Sequence, residues 1–329
     1  MQARSDIAPR QVRIVILPLP GSARSAAYGL QDMFGSANRL LQEMQAAPEV
    51  HFTVEVLPAL PASESEVVQP AIVIVPPILE GDAYLQPQPE LCQALRAWHA
   101  AGAVICSACA GAFLLAQAGL LEGRRVTTHW QLEEKFRTHY PHLTLDTDAL
   151  LITESDLVTA GGVMAWVDLG LHLVARHVPP SVVQALGRFL VIDTGERQQR
   201  YYRAFTPEIT HGDRAILRLQ HHLHAHFTRR QTTAEMAATA GLGERTLMRR
   251  FRQATGFGPG EYLQQLRLQR ARELLENRRD SVEQVALAVG YEDTSAFRKM
   301  FIKHTGLTPG QHRARFGNGF SPRANPGLG

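Results

Sequence analysis

Residues 103–113 read Ala-Val-Ile-Cys-Ser-Ala-Cys-Ala-Gly-Ala-Phe. Ala103, Val104 and Ile105 form an apolar run that reads as a buried strand, and Leu114–Leu121 (Leu-Leu-Ala-Gln-Ala-Gly-Leu-Leu) reads as a helix. Between them Cys109 is flanked by Ser107, Ala108, Ala110 and Gly111, all small. A strand entering and a helix leaving a turn of small residues is the geometry of a nucleophile elbow, whose central residue sits in a strained conformation. The helix N-terminus would aim amides and a positive dipole at the sulfur, which favours thiolate. The other reading of the same residues is a buried cysteine in a tight turn.

Working outward, strand and helix signals alternate. Val12–Leu19, His51–Leu57 and Ala71–Val75 are strand-like, as are short segments within Thr144–Thr159; Tyr28–Met44, Gln88–Ala101 and Val163–Val178 have helical spacing. The alternation predicts an α/β flavodoxin-like sandwich around a parallel sheet covered on both faces. Residues 193–207 are polar, and a linker is expected over 193–210. Beyond it strand signals vanish, so an all-α domain is predicted over 211–316, followed by a disordered tail at 317–329.

The helical part repeats itself. Met236-Ala-Ala-Thr-Ala-Gly241 corresponds to Val285-Ala-Leu-Ala-Val-Gly290, and Leu247-Met-Arg-Arg-Phe251 to Phe297-Arg-Lys-Met-Phe301. Thr255-Gly-Phe-Gly-Pro-Gly260 likewise corresponds to Thr305-Gly-Leu-Thr-Pro-Gly310. Each unit reads as helix, glycine turn, helix, with Leu247 and Phe251, or Phe297 and Phe301, anchoring the second helix at i, i+4. The outward faces then carry Arg245, Thr246, Arg249 and Arg250 in one unit and Thr294, Ser295, Arg298 and Lys299 in the other. Arginine near the start of such a helix can read guanine edges, and the others can grip phosphates. A linking helix over Pro259–Asn277, at ~1.5 Å per residue, spans about 28 Å, which suits recognition helices in major-groove turns ~34 Å apart.

Charge agrees. Residues 207–329 hold 19 Lys and Arg against 11 Asp and Glu, a surplus of +8, while the remainder holds 15 against 20, or −5. One part of the chain suits a polyanion and the other does not.

The repeated units, with their Ala-x-x-x-Gly turns and Phe-x-x-x-Thr-Gly-x-x-Pro-Gly ends, closely resemble the AraC/XylS-type DNA-binding domain over about residues 213–316. The stretch Cys109–Trp130, together with Thr159–Leu171, resembles the PfpI-like branch of the class I glutamine amidotransferase-like superfamily. Within that branch the chain looks like the GlxA-type regulators, which join such a domain (here 10–192) to an AraC-type one. Tyr201–Pro207 and the following His211-Gly212-Asp213 fit as well.

The cysteine usage and the lack of signal-peptide or membrane-span signals make the cytoplasm the expected compartment. The resemblance implies a dimeric transcriptional regulator that binds operator DNA, and RNA polymerase if it activates, activation being the commoner mode. It implies a small-molecule effector such as an amino acid or a quaternary amine. Proteolytic relatives carry histidine directly after the elbow cysteine and hydratase-like relatives threonine; here the residue is Ala110. The family carboxylate falls near Asp32, and His129 is the only nearby candidate base. A ligand-sensing pocket lined by Cys109, Ala110, Gly111, Asp32, His129 and Gly162 is therefore expected rather than a catalytic one, with the helix N-terminus available to a carboxylate. The rival readings are a cysteine-dependent hydrolase or hydratase tethered to DNA, and a thiol redox sensor built on Cys106 and Cys109.

Other signals are discounted. Three cysteines are too few for a disulfide framework, the N-terminal residues show no signal-peptide core, and no run approaches a membrane span. His222 and His226 lack a third ligand at suitable spacing, and Gly161-Gly162 lacks the Lys-Ser/Thr of a phosphate loop. No metal or cofactor is expected.

Overall fold

A computed structural model of the chain describes residues 9–44, 50–58, 60, 69–195 and 197–317. Contacts divide it into two compact units, Met1–Gln199 and Arg200–Gly329. Of the expected disordered tail only Gly317 lies within the described residues.

The first unit contains strands β1 (Arg10–Ile16), β2 (Val50–Val56), β3 (Ile72–Val75), β4 (Val104–Ala108), β5 (Arg125–Val126), β6 (Thr144–Leu145), β7 (Leu151–Glu154) and β8 (Leu157–Ala160). Six of them form one sheet in the order β2-β1-β3-β4-β8-β7, parallel except for the β7–β8 hairpin. The apolar runs alternate between its faces as a period of two requires. Ile72, Ile74, Cys106 and Ala108 point to one side, and Val73, Val75 and Ile105 to the other.

The first side is covered by α1 (Arg24–Glu43), α5 (Trp166–Ala175) and α6 (Pro180–Leu190), and the second by α2 (Pro89–Ala100), α3 (Gly111–Gln117) and α4 (Glu133–His139). Helix α1 begins four residues before the expected Tyr28. The helix expected over 163–178 is shorter, because residues 163–165 form a 3-10 turn before α5. Helix α6, with Pro180 at its first position, was not anticipated.

The second unit is helical throughout: α7 (Arg214–Ala225), α8 (Thr233–Ala240), α9 (Glu244–Thr255), α10 (Pro259–Asn277), α11 (Val282–Ala288), α12 (Thr294–Thr305) and α13 (Pro309–Phe316). The internal repeat yields two cores. Leu247 and Phe251 of α9 pack with Tyr262 and Leu263, whereas Phe297 and Phe301 of α12 pack with Leu268, Ala271 and Leu275. Helix α10 serves both, and its bounds are those predicted from the sequence. Among the described residues no helix is long and apolar enough to cross a membrane.

Candidate functional site

The elbow forms as the small residues require. Cys109 has φ 54, a left-handed conformation that costs a non-glycine residue about 1–2 kcal/mol, and its N–H donates to the Ala160 carbonyl at 2.9 Å. The thiol, however, is not the thiolate that the helix dipole suggested. Cys109 is 4% exposed, and burial pushes its pKa up to about 11 against the opposing pull of the Ala110 N–H. Desolvation wins because the thiol is almost wholly buried and the Ala110 N–H is the opposing pull on it. Cys106 faces the side of the sheet covered by α1, α5 and α6, fully buried, and its thiol is pushed up further by the same cause.

Thr128 and His129 lie beside the elbow. Thr128 Oγ1 donates to the Cys109 carbonyl at 2.8 Å, and the His129 ring lies next to Gly162. His129 Nδ1 accepts the Gln131 N–H at 3.1 Å, which leaves the proton of the neutral ring on Nε2. Burial lowers the pKa of His129, so the neutral form is favoured. With one nitrogen engaged and the other protonated, the imidazole is poorly set to take a proton from the thiol. Cys109, Ala110, Gly111, His129 and Gly162 thus come together. Asp32 does not join them through any hydrogen bond or ion pair among the described residues. Leu30, Met33 and Phe34 face the core, which turns Asp32 outward on α1.

Gln199 had no signal in the sequence and is central in the structure. It is 2% exposed, and its Nε2 donates to Thr127 Oγ1 at 3.0 Å and to the Thr128 and Ala149 carbonyls at 2.9 and 3.0 Å. Its Oε1 accepts the Trp130 N–H at 3.2 Å. Arg197 is held two residues earlier by Asp168. In the second unit the Arg200 carbonyl accepts from Arg272, and Phe205 packs on Phe257 and Tyr262. The expected linker is therefore fastened within each unit.

In the second unit α8 and α9 flank Gly241, and α11 and α12 flank Gly290; both glycines have positive φ. Arg245, Met248, Arg249 and Arg252 stand exposed on α9, and Ser295, Arg298 and Lys299 on α12, with Thr246 and Thr294 half-buried. Arg298 Nη2 meets Glu283 Oε1 at 2.9 Å, a solvent-exposed pair of the kind worth little, so it opens at low cost. Arg250 is different. Its guanidinium takes both oxygens of Asp213, Nε–Oδ2 at 2.9 Å and Nη2–Oδ1 at 2.6 Å, and ties α9 to the cap of α7. That side chain, expected on DNA, is committed to an internal bond.

Residues 39–176 match the DJ-1/PfpI family and residues 236–315 a helix-turn-helix domain. The chain belongs to the HTH-type transcriptional regulators that join a DJ-1/PfpI domain to an AraC-type helix-turn-helix domain. It is 32% identical over 227 residues to the regulator CdhR of Pseudomonas aeruginosa, covering 69% of this chain and 67% of that one. Over 248 residues it is 31% identical to ArgR of the same organism, covering 72% and 73%. GlxA of Rhizobium meliloti is 27% identical over 209 residues, covering 63% and 64%. The protein is thus a DNA-binding transcriptional regulator.

Proposed function

We propose that this regulator binds an operator as a cytoplasmic homodimer through the outward faces of α9 and α12, and that its first unit senses a small metabolite, an amino acid or quaternary amine, without consuming it. Activation, with RNA polymerase as the further partner, is the mode taken here. The observation that carries the DNA-binding reading is the pair of recognition helices, each anchored by its own core and each presenting exposed basic side chains. The burial of the Cys109 thiol and the proton on His129 Nε2 support a sensor over a cysteine enzyme. The candidate places for the metabolite in the first unit include the elbow expected from the sequence and a separate cavity lined by Asp168 and Arg197.

The test is binding of the full chain to the DNA upstream of its own coding region at ~0.15 M salt, where non-specific association is weak. Sequence-specific binding altered by a metabolite supports the reading. No preference for that DNA over random DNA sinks it.

A further inference from the structure

The first unit holds a cavity of about 470 Å³ that Cys109 does not line. Its volume lies in the range of small-molecule sites, roughly 300–1,000 Å³. Polar groups converge on it from three separate parts of the chain. Thr153 comes from β7, Asp168 and His172 lie one turn apart on the same face of α5, and Arg197 follows α6. Leu150, Leu171 and Val183 supply apolar wall.

The charges are arranged as an opposed pair. Arg197 Nε donates to Asp168 Oδ1 at 2.9 Å and its Nη2 to Oδ2, with the side chains 27% and 14% exposed. Asp193 adds a second carboxylate at the rim. His172 Nε2 sits 3.4 Å from Thr153 Oγ1, and burial, with Arg176, lowers its pKa and so favours the neutral ring, a hydrogen-bonding group on the wall.

A carboxylate and a guanidinium side by side on a cavity wall offer complementary partners to a molecule that carries both charges. Its ammonium would meet Asp168 and its carboxylate Arg197, while its hydrocarbon part lies against Leu171 and Val183. Arg197 also belongs to the segment that reaches Gln199 and then passes into the DNA-binding unit. A ligand that shares Asp168 with Arg197 alters the hold on that segment, which gives the differential contact that an effector needs.

We propose that this cavity, and not the elbow, is the effector site, and that it takes a small amino-acid-like zwitterion bridging Asp168 and Arg197. The proposal rests on the sensor reading above, and it can fail without that reading failing.

The experiment measures ligand-induced melting shifts and calorimetric binding on the full chain. The probes are L-arginine, β-alanine and glycine betaine, with acetate and ethylamine as half-ligand controls. The proteins are wild type, Asp168→Asn, Val183→Trp, which fills the cavity without touching a charge, and Cys109→Ala. The expected result is that at least one zwitterion binds wild type and Cys109→Ala alike, and that binding falls by about tenfold or more in both Asp168→Asn and Val183→Trp. Acetate and ethylamine should bind far more weakly. Binding that survives Val183→Trp overturns the proposal, as does binding lost in Cys109→Ala and retained in Val183→Trp, which returns the effector to the elbow. Ethylamine binding as well as the zwitterion overturns the assigned chemistry, and no binding of any probe to wild type overturns the site. The regulator reading is judged separately, by the DNA-binding test.

Discussion

The side-chain amide of Gln199 donates to the main-chain carbonyl of Thr128 at 2.9 Å, and Thr128 in turn donates its hydroxyl to the Cys109 carbonyl at 2.8 Å. The last residue of the first unit is thereby wired to the elbow through a single intermediate. Replacing Gln199 with Leu takes the Oε1 acceptor from the Trp130 N–H and leaves the Thr128 and Ala149 carbonyls to share the Thr127 hydroxyl, at an expected cost of about 1–3 kcal/mol. Gly161→Ala should act on the same bond set, because a Cβ there would sit 1.9 Å from Gln199 Nε2 and 2.1 Å from its Cδ. The two changes are therefore expected to be non-additive in urea denaturation, with the double variant losing little more than the worse single. Losses that simply add would show that Gly161 and Gln199 act independently.

The buried thiols make stability depend on alkaline pH. The folded state holds the Cys109 proton up to about 11, above its ordinary value near 9, and it raises Cys106 in the same direction. A folded-state pKa above the unfolded one means that the stabilisation is complete below about pH 9 and is lost as pH rises toward 11. Wild type should lose about 2 kcal/mol more than Cys109→Ala across that window, since each pKa unit is worth about 1.4 kcal/mol. The same burial predicts slow alkylation of folded protein by iodoacetamide at neutral pH, read by mass spectrometry of Cys109. Fast labelling there would restore the nucleophile.

On the DNA-binding unit the arginines should separate into two kinds. Arg245→Ala and Arg298→Ala are expected to weaken operator binding by about 1–3 kcal/mol, with little change in melting temperature. Arg250→Ala should instead lower the melting temperature of the unit, because it breaks the bidentate pair with the Asp213 cap of α7, and it should spare sequence preference. Fluorescence anisotropy on operator and random DNA, alongside thermal melts, distinguishes them. A specific loss of operator preference in Arg250→Ala with unchanged stability would return that side chain to the DNA face.

The contrast between Arg250 and Arg245 illustrates what the sequence could and could not convey. Short continuous apolar runs located most of the strands, and the repeated Ala-x-x-x-Gly and Thr-Gly-x-x-Pro-Gly segments located both helix pairs and the bounds of α10. These signals are local. The partner of Arg250 lies 37 positions away at Asp213. Gln199 sits in a polar run that resembles a tether, and it is buried by groups 50 to 72 positions upstream. Cys109 shows the same limit in energetic form. The helix dipole can be read from strand-turn-helix order, but the desolvation that overrides it depends on the whole core around the thiol. Asp168 stood within a family-like stretch, yet its bidentate partner Arg197 lies 29 positions further on.

The two turn glycines are equivalent in the repeat and should be unequal in cost. Gly241 has φ +68, and a Cβ there meets nothing within 4 Å, so Gly241→Ala carries only the left-handed strain, about 1–2 kcal/mol. Gly290 has φ +84, and its Cβ would lie 2.3 Å from the Thr228 carbonyl oxygen and 2.8 Å from the Thr228 Cα. Those are backbone atoms on a loop that Arg267 holds through the Phe227 and Arg229 carbonyls at 2.7 and 2.9 Å, so they cannot swing aside as a side-chain tip would. Gly290→Ala should therefore cost at least about 2 kcal/mol beyond Gly241→Ala, and it should weaken DNA binding by tilting α12 rather than by removing a contact. Chemical denaturation of the two single variants decides the matter. Equal losses would mean that the Thr228 loop yields freely and that the second turn is no tighter than the first.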